Sequence, residues 1–288
     1  MRVPPHIDLL PFKIFFLTDG LWRNDGGCFF GVVPRELWKH EHPPDERNRI
    51  RVNLTCPLIV SGKTAVLVDT GIGNRLRAEE REIFSHRDGI LLDGLRAIGM
   101  EPGDVTHVVL SHLHFDHCGG VVRRTTSDGF MPAFPRARYI VQRGEVEQTR
   151  IANERLRAAY RHTAECLDPL AGQLELVDGK TELVSGIESV PTGGHTPDHQ
   201  VTIVRGRENS FIHLADIVPT RSHLKPGWNQ AYDLDPLKTM DAKARYLRVA
   251  AAESWWISFA HDDRLFAAKV RESDRRFVVE SSIPVDDK

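Results

Sequence analysis

Residues 108–120 read VVLSHLHFDHCGG. A short apolar run is followed within six positions by His112, His114, Asp116 and His117, and then by two glycines. THVVLSH (106–112) reads as a buried strand, so the cluster lies at a strand exit, where loops carry chemistry on a rigid scaffold. Chance alone produces an H-x-H-x-D-H string in a chain of this length roughly a few times in a thousand, so the string is a hypothesis that context must strengthen. Imidazole nitrogen with carboxylate oxygen suits Zn²⁺, Fe²⁺, Mn²⁺ or Co²⁺ and does not suit a soft copper site. Four donors from one loop cannot close two metal spheres, so further ligands are sought downstream. His195 stands after a strand in PTGGHTPDHQ, Asp216 ends SFIHLAD, and His261 lies near the end of WWISFAHD. Each is a ligand-type residue at the exit of an apolar strand, which is what converging sheet edges deliver. A structural zinc clip has four ligands and is rich in cysteine, whereas this set of seven contains no sulfur.

The rest of the chain is ordinary for a globular protein. It has 288 residues, 41% hydrophobic and 27% charged, and a formal charge of −2. That balance gives no electrostatic footprint for nucleic acid or a membrane surface. The cysteines Cys28, Cys56, Cys118 and Cys166 are far apart and form no CxxC pair, which excludes a zinc ribbon or a disulfide-stapled scaffold. MRVPPHIDLLPFKIFF lacks the unbroken apolar core of a signal peptide, and no apolar run approaches the roughly 20 residues of a membrane span. A cytoplasmic protein with reduced thiols is the expectation.

Short apolar strands alternate with amphipathic helices along the chain. CPLIV (56–60) and AVLVD (65–69) flank a Ser-Gly-Lys turn and read as a hairpin. Residues 88–100 have helical spacing, and ARYIVQ (137–142) reads as a strand. Residues 144–164 read as one long amphipathic helix. LELVD, TELVSG and IESVPTGG read as three short strands, and VTIVRG with SFIHLAD as a second hairpin-like pair. Residues 236–252 read as a helix, WWISFAHD as a strand and RLFAAKVRE as a short helix. The order implies two sheets packed face to face with helices outside, in one domain spanning 1–288. Residues 1–50 read as an extension that packs on this domain or covers a dimer interface. Its aromatic residues, Phe15, Phe16, Trp22, Phe29 and Phe30, suit either a pocket lining or that interface.

HLHFDH, GHTPDH, Asp216 and His261, with LVDTGIG at 67–73, resemble the metallo-β-lactamase superfamily from about residue 56 to 262. The resemblance implies an α/β fold, an αββα sandwich with a dinuclear site along one edge of the two sheets. It implies His112, His114 and His195 on a first metal, Asp116, His117 and His261 on a second, and Asp216 bridging them. Zinc is the expected metal, with iron, manganese and cobalt as alternatives. Asp69 takes the place of the superfamily's buried aspartate near the site, and His199 is a candidate for the same supporting shell. The implied chemistry is hydrolysis by a metal-bridging hydroxide, without a covalent enzyme intermediate, and Asp116 can pass the proton to the leaving group. Of the other histidines, His6, His40, His42, His86, His107 and His162 read as surface or loop residues and His213 as core. Cys118 reads as a small packed side chain.

The same resemblance narrows the substrate. His114 stands where flavodiiron relatives have glutamate, and Asp216 where the best-known zinc β-lactamases have cysteine. No basic appended domain of the nuclease branches is present, nor a clear equivalent of glyoxalase II's basic C-terminal region. SHLHFDHCGG, FPRARYIVQRGEVE and GHTPDHQ are similar to the branch of N-acyl-homoserine-lactone lactonases and methyl-parathion-hydrolase-type phosphotriesterases. Lactone hydrolysis is therefore the first expectation, with organophosphate triester or aryl-ester hydrolysis second and a low-turnover metal-binding sensor third. The expected partner is a small molecule, and the resemblance admits a homodimer. Lactonases of this branch carry a tyrosine shortly after the bridging aspartate, where this chain has Ile217, Val218 and Pro219. Tyr232, His223 and Arg221 are candidates to replace it, and Trp228 and Tyr232 are candidates for an apolar substrate wall.

Overall fold

The computed structural model describes residues 3–285 apart from 88, 127, 128, 152, 153, 162 and 275. The strands are β1 (His6–Leu9), β2 (Phe12–Asp25), β3 (Arg49–Ser61), β4 (Thr64–Val68), β5 (His107–Val109), β6 (Val122–Arg124), β7 (Phe130–Pro132) and β8 (Arg138–Gln142). They continue with β9 (Leu174–Val177), β10 (Thr181–Val184), β11 (Ile187–Pro191), β12 (Gln200–Arg205), β13 (Ser210–His213), β14 (Trp256–Ser258), β15 (Leu265–Ser273) and β16 (Arg276–Pro284). One seven-stranded sheet has the order β1-β2-β3-β4-β5-β8-β9 and the other runs from β10 to β16, while β6 and β7 form a separate hairpin. This is the expected sandwich of two mixed sheets with helices outside.

The sheets meet over apolar side chains that alternate out of each strand. Ile14, Phe16, Val66, Val68 and Val109 from the first sheet pack against Ile187, Val204, Phe211 and Phe266 from the second. The outer face of the second sheet is covered by the helix Pro236–Ala252, whose Tyr246, Leu247 and Ala250 join Ile212, Ile257 and Ala268. Asp235 caps that helix, its side chain accepting from the Lys238 amide, with Pro236 at the first helical position. The expected helix over 88–100 is present as Ile90–Ala97, residue 88 lying outside the described residues.

Three expectations change. RLFAAKVRE forms β15, because Ile257 and Ser258 on one side and β16 on the other recruit it into the sheet. Its alanines carry helical propensity, a weak prior that long-range pairing overrides. β16 itself was not expected. The long helix over 144–164 is instead three short ones, Arg143–Gln148, Glu154–Arg157 and Thr163–Leu167, with 152, 153 and 162 outside the described residues. The break turns Leu156, Tyr160 and Thr163 into the core beside the His112–His117 loop. Residues 6–25, placed by sequence in an extension, are β1 and β2 of the first sheet, β2 pairing with β3 from Lys13 to Asp25.

Strand direction positions the site. β4, β5, β8 and β9 run parallel to one another, and so do β13 and β14, so several strands end at the same edge of each sheet. β12 runs antiparallel to β13, which returns the β11–β12 connection to that edge as well. Ligand-bearing loops at the carboxyl ends of parallel strands are a general outcome of such topology.

Candidate metal centre

At the exit of β4, Asp69 takes a left-handed backbone (φ 57°) that turns its carboxylate across to the exit of β5. There it accepts hydrogen bonds from the Ser111 amide (2.7 Å) and the Ser111 hydroxyl (2.8 Å). The following helix, Phe115–Cys118, carries Asp116 and His117. Its end is pressed against the preceding strand loop. A Cβ on Gly119 would stand 2.2 Å from the Ile72 carbonyl oxygen, and one on Gly120 2.2 Å from that of Thr70. Only glycine admits this approach.

The second sheet supplies the opposite wall. His195 comes from the β11–β12 connection, Asp216 from a 3-10 turn at Ala215–Ile217 after β13, and His261 from the loop after β14. The Asp216 carboxylate divides its oxygens. Oδ1 lies 3.2 Å from His117 Nε2 and 3.1 Å from His261 Nε2, while Oδ2 lies 3.3 Å from His195 Nε2. Asp116 Oδ2 is 3.5 Å from His261 Nε2 and 3.9 Å from His117 Nε2. His195 Nε2 and His114 Nδ1 are 3.1 Å apart, as are His117 Nε2 and His261 Nε2. The donor atoms of His112, His114 and His195 form one compact set within 4.8 Å, and those of Asp116, His117 and His261 form another. The structure thus brings all seven sequence-predicted ligands together.

Whether these residues suit metal ions is decided by their outer nitrogens. The Nδ1–H of His117 donates to Asp69 Oδ2 (2.9 Å), that of His195 to Asp233 Oδ1 (2.8 Å), and that of His261 to the Asn53 carbonyl (2.9 Å). Ser111 Oγ, already donating to Asp69, accepts from His112 Nδ1 at 3.0 Å. A neutral imidazole with a proton on Nδ1 has its lone pair on Nε2. With those protons on Nδ1 four Nε2 atoms point inward, where a bound cation would take the place of a second proton, and among the described residues His112 Nε2 and Asp216 Oδ1 are buried without a hydrogen-bond partner. Converging lone pairs on buried nitrogen and carboxylate oxygen fit two divalent cations of the zinc type.

Electrostatics agree. Burial pushes the basicity of His112 and His114 well below the ordinary imidazole value, so neither competes for a proton. At His117 burial also opposes charge, but Asp216, Asp116 and Asp69 outweigh it and raise the ring well above its ordinary value. Asp216 is held well below the carboxylate range because His261, His117 and His195 overcome the cost of its burial. The pocket calls for positive charge.

Other predicted residues fall in two groups. His199 is at the centre but turned away from it: its Nε2 accepts from the Asp216 amide (3.3 Å) and its Nδ1 pairs with Thr192 Oγ1 (2.7 Å). Burial brings it to about 3, so it is neutral. Tyr232 lines the cavity over the metal residues, together with Trp22, Phe29, Phe84, Phe115 and Arg161. His223, Arg221 and Trp228 do not line it. His223 is buried between Thr220 Oγ1 (2.8 Å) and the Phe29 carbonyl (2.9 Å), stacked on Phe30. Arg221 pairs with Asp262 (2.6 Å) and Asp263 (3.2 Å). Trp228 meets Phe30 edge-on under the Lys225 ammonium. His42 and His86, expected near the surface, are buried, bonded to Ser222 Oγ and to the Asp19 carbonyl. His162 lies outside the described residues.

Sequence reasoning missed three supports. Gln230 donates to Asp216 Oδ2 (2.9 Å), and Asp233 fixes His195. Glu145, fully buried, accepts from the Leu113 amide (3.0 Å), the Tyr160 hydroxyl (3.1 Å) and the Thr196 hydroxyl. It ties the His112–His114 turn to the residue after His195, and burial raises its carboxyl above the usual range. In QRGEVEQ the residue stands among other charged and polar side chains, so nothing local in the sequence singled it out.

The sequence profile of the Metallo-beta-lactamase superfamily matches residues 52–261, which contain every one of these candidate ligands. The chain belongs to that superfamily. An N-acyl homoserine lactonase from Bacillus sp. is 30% identical over 171 residues, 55% of this chain, and the match spans 61% of that relative's length. An N-acyl homoserine lactonase from Bacillus thuringiensis is 27% identical over 220 residues, 72% of this chain and 80% of the relative. The crystal structure of a probable metal-dependent hydrolase from Staphylococcus aureus superposes with a TM-score of 0.90 at 27% identity. It covers 98% of this chain and 100% of its own. This superfamily member is a metal-dependent hydrolase.

Proposed function

We propose that the chain hydrolyses small lactones at a dinuclear centre, with His112, His114 and His195 on one ion, Asp116, His117 and His261 on the other, and Asp216 shared. The observation that carries the reading is the divided Asp216 carboxylate, one oxygen toward each histidine set. Two divalent ions there would supply Lewis acidity and an ionised water at neutral pH. The protein's own groups do the rest. Asp116, half-buried and lining the cavity, is placed to carry a proton toward the leaving alkoxide. Gln230 and His199 hold Asp216 from its carboxylate and its amide, so the shared ligand does not swing during turnover. The apolar wall of Trp22, Phe29, Phe84 and Phe115 excludes water from the acyl part of the substrate.

Tyr232 stands where a phenol can donate to the scissile carbonyl, replacing a tyrosine that the 217–219 segment lacks. Its hydroxyl accepts a long bond from Asn24 Nδ2 (3.4 Å) and is hydrogen-bonded with the Cys28 thiol, and burial, helped by Cys28, raises its pKa above the ordinary phenol value, so it stays protonated. The names of the relatives support lactones as the class.

The test is initial rates on metal-loaded protein with acyl-homoserine lactones, simple γ- and δ-lactones and an aryl phosphotriester. A kcat/KM on lactones above about 10⁴ M⁻¹s⁻¹, with lactones preferred, supports the reading. Preferred phosphotriester turnover overturns it. Tyr232→Phe should lower lactone kcat by about tenfold, the worth of one hydrogen bond to developing charge.

A further inference from the structure

We infer that the substrate carries a carboxylate at the far end of its acyl arm, received by an arginine-lined cleft that continues the catalytic cavity. This rests on the lactonase reading above and adds its substrate class. Asn24 and Phe84 line both spaces, so the cleft adjoins the cavity across these two side chains. The path is short: Trp22 lies 6.2 Å from the His261 ring and 5.4 Å from the Phe84 ring. Beyond Phe84 the lining changes from aromatic to Arg23, Arg47 and Arg49, with Asp25.

The carboxylates there are already engaged. Asp25 Oδ1 accepts from the Cys28 amide (3.1 Å) and Oδ2 from Asn48 Nδ2 (3.0 Å), a helix cap rather than a counter-ion. Asp45, just outside the lining, takes Arg49 through Nε and NH2, both at 2.9 Å, and accepts the amides of Arg47 and Arg49. Arg49 also donates to the Glu82 and Ile83 carbonyls, so it holds the cleft wall. Arg23 reaches Asp45 only at 3.6 Å. Arg47 is exposed, and among the described residues its guanidinium has no partner. Three guanidiniums against two occupied carboxylates leave about one positive charge, which matches a carboxylate better than a phosphate dianion. One open fork, Arg47, and one loosely held by Asp45, Arg23, beside an aromatic face suit planar carboxylate recognition.

The test uses metal-loaded protein and a matched pair of N-acyl γ-lactones, one with a plain alkyl arm and one with a carboxylate at the end of that arm. The expected result is a five- to tenfold higher kcat/KM for the acid-ended lactone, carried by KM and shrinking as salt screens the exposed charges. Arg47→Glu and Arg23→Glu should each reverse or abolish the ratio. Equal rates on the pair, or a ratio unchanged in both variants, overturns the inference. If neither lactone is hydrolysed the lactonase reading fails, and binding then decides the cleft by calorimetry with decanedioate against decanoate. Tighter binding of the diacid that is lost in Arg47→Glu supports it, and equal binding overturns it.

Discussion

Two clusters of histidine and carboxylate, one buried and one partly buried, are built partly from the same loops of this molecule. One is the candidate metal centre, with Asp216 and His261. The other follows each of them in sequence, joining Arg221, Ser222, Asp262 and Asp263 to Glu41 and His42. Their residue types are alike, and their bookkeeping of charge is not. In the second cluster Arg221 brings its own cation, donating to both aspartates and to the Glu41 carbonyl, and Lys225 pairs with Glu41. In the first, ring nitrogens approach to 3.1 Å and a carboxylate oxygen is left without a donor. In this molecule the first cluster's donor atoms converge with no arginine or lysine among them, whereas an arginine closes the second.

Breaking each cluster separates the two. Asp216→Ala removes the group shared by both histidine sets. Several kcal/mol of transition-state stabilisation go with it, so kcat/KM should fall by at least ~10³-fold, with metal content reduced. Retained activity would mean that Asp216 is not shared. Arg221→Met leaves Asp262 buried beside Asp263 without its counter-ion, which should cost about 3 kcal/mol in denaturant unfolding while metal content stays at the wild-type level. Loss of metal with stability unchanged would assign Arg221 to the wrong cluster.

Smaller changes sharpen the contrast. Asp233→Ala removes the acceptor that fixes the His195 tautomer and should weaken metal affinity by about 10- to 100-fold, read by competition with a chelator. The smallest effect concerns pH. Burial, helped by Arg221 and opposed by Asp262, Asp263 and Glu41, lowers His42 from 6.5 to about 4. Between those values the unfolded chain takes up a proton that the folded chain refuses, so stability falls as pH drops from 6.5 toward 4. His42→Gln should flatten that part of the stability profile. An unchanged slope would show that the ring is not held neutral by its burial.

The candidate ligand set was legible because its signal is local: a donor-type residue at the exit of an apolar run, repeated on several strands. The two-sheet architecture was legible for the same reason, in the alternation of strands with helices. What escaped depends on distant contact. Asp233 meets His195 from 38 residues away, and Glu145 meets Thr196 from 51, with no periodic pattern to announce either. β15 was misread because LFAAK favours a helix until β14 and β16 flank it. His42 and His86 sit in irregular segments whose burial is decided by aromatic and carboxylate neighbours elsewhere in the chain. The substrate wall was read only partly: Tyr232 lines the cavity, whereas His223 and Trp228, from the same loop region, turn into the Phe30 cluster.

The proposed chemistry requires two cations held between the two histidine sets. Metal analysis of the purified protein, after equilibration with zinc and removal of loosely bound ion, tests it most directly. Two equivalents per chain are expected. One equivalent or none, in protein whose unfolding is cooperative, would contradict it.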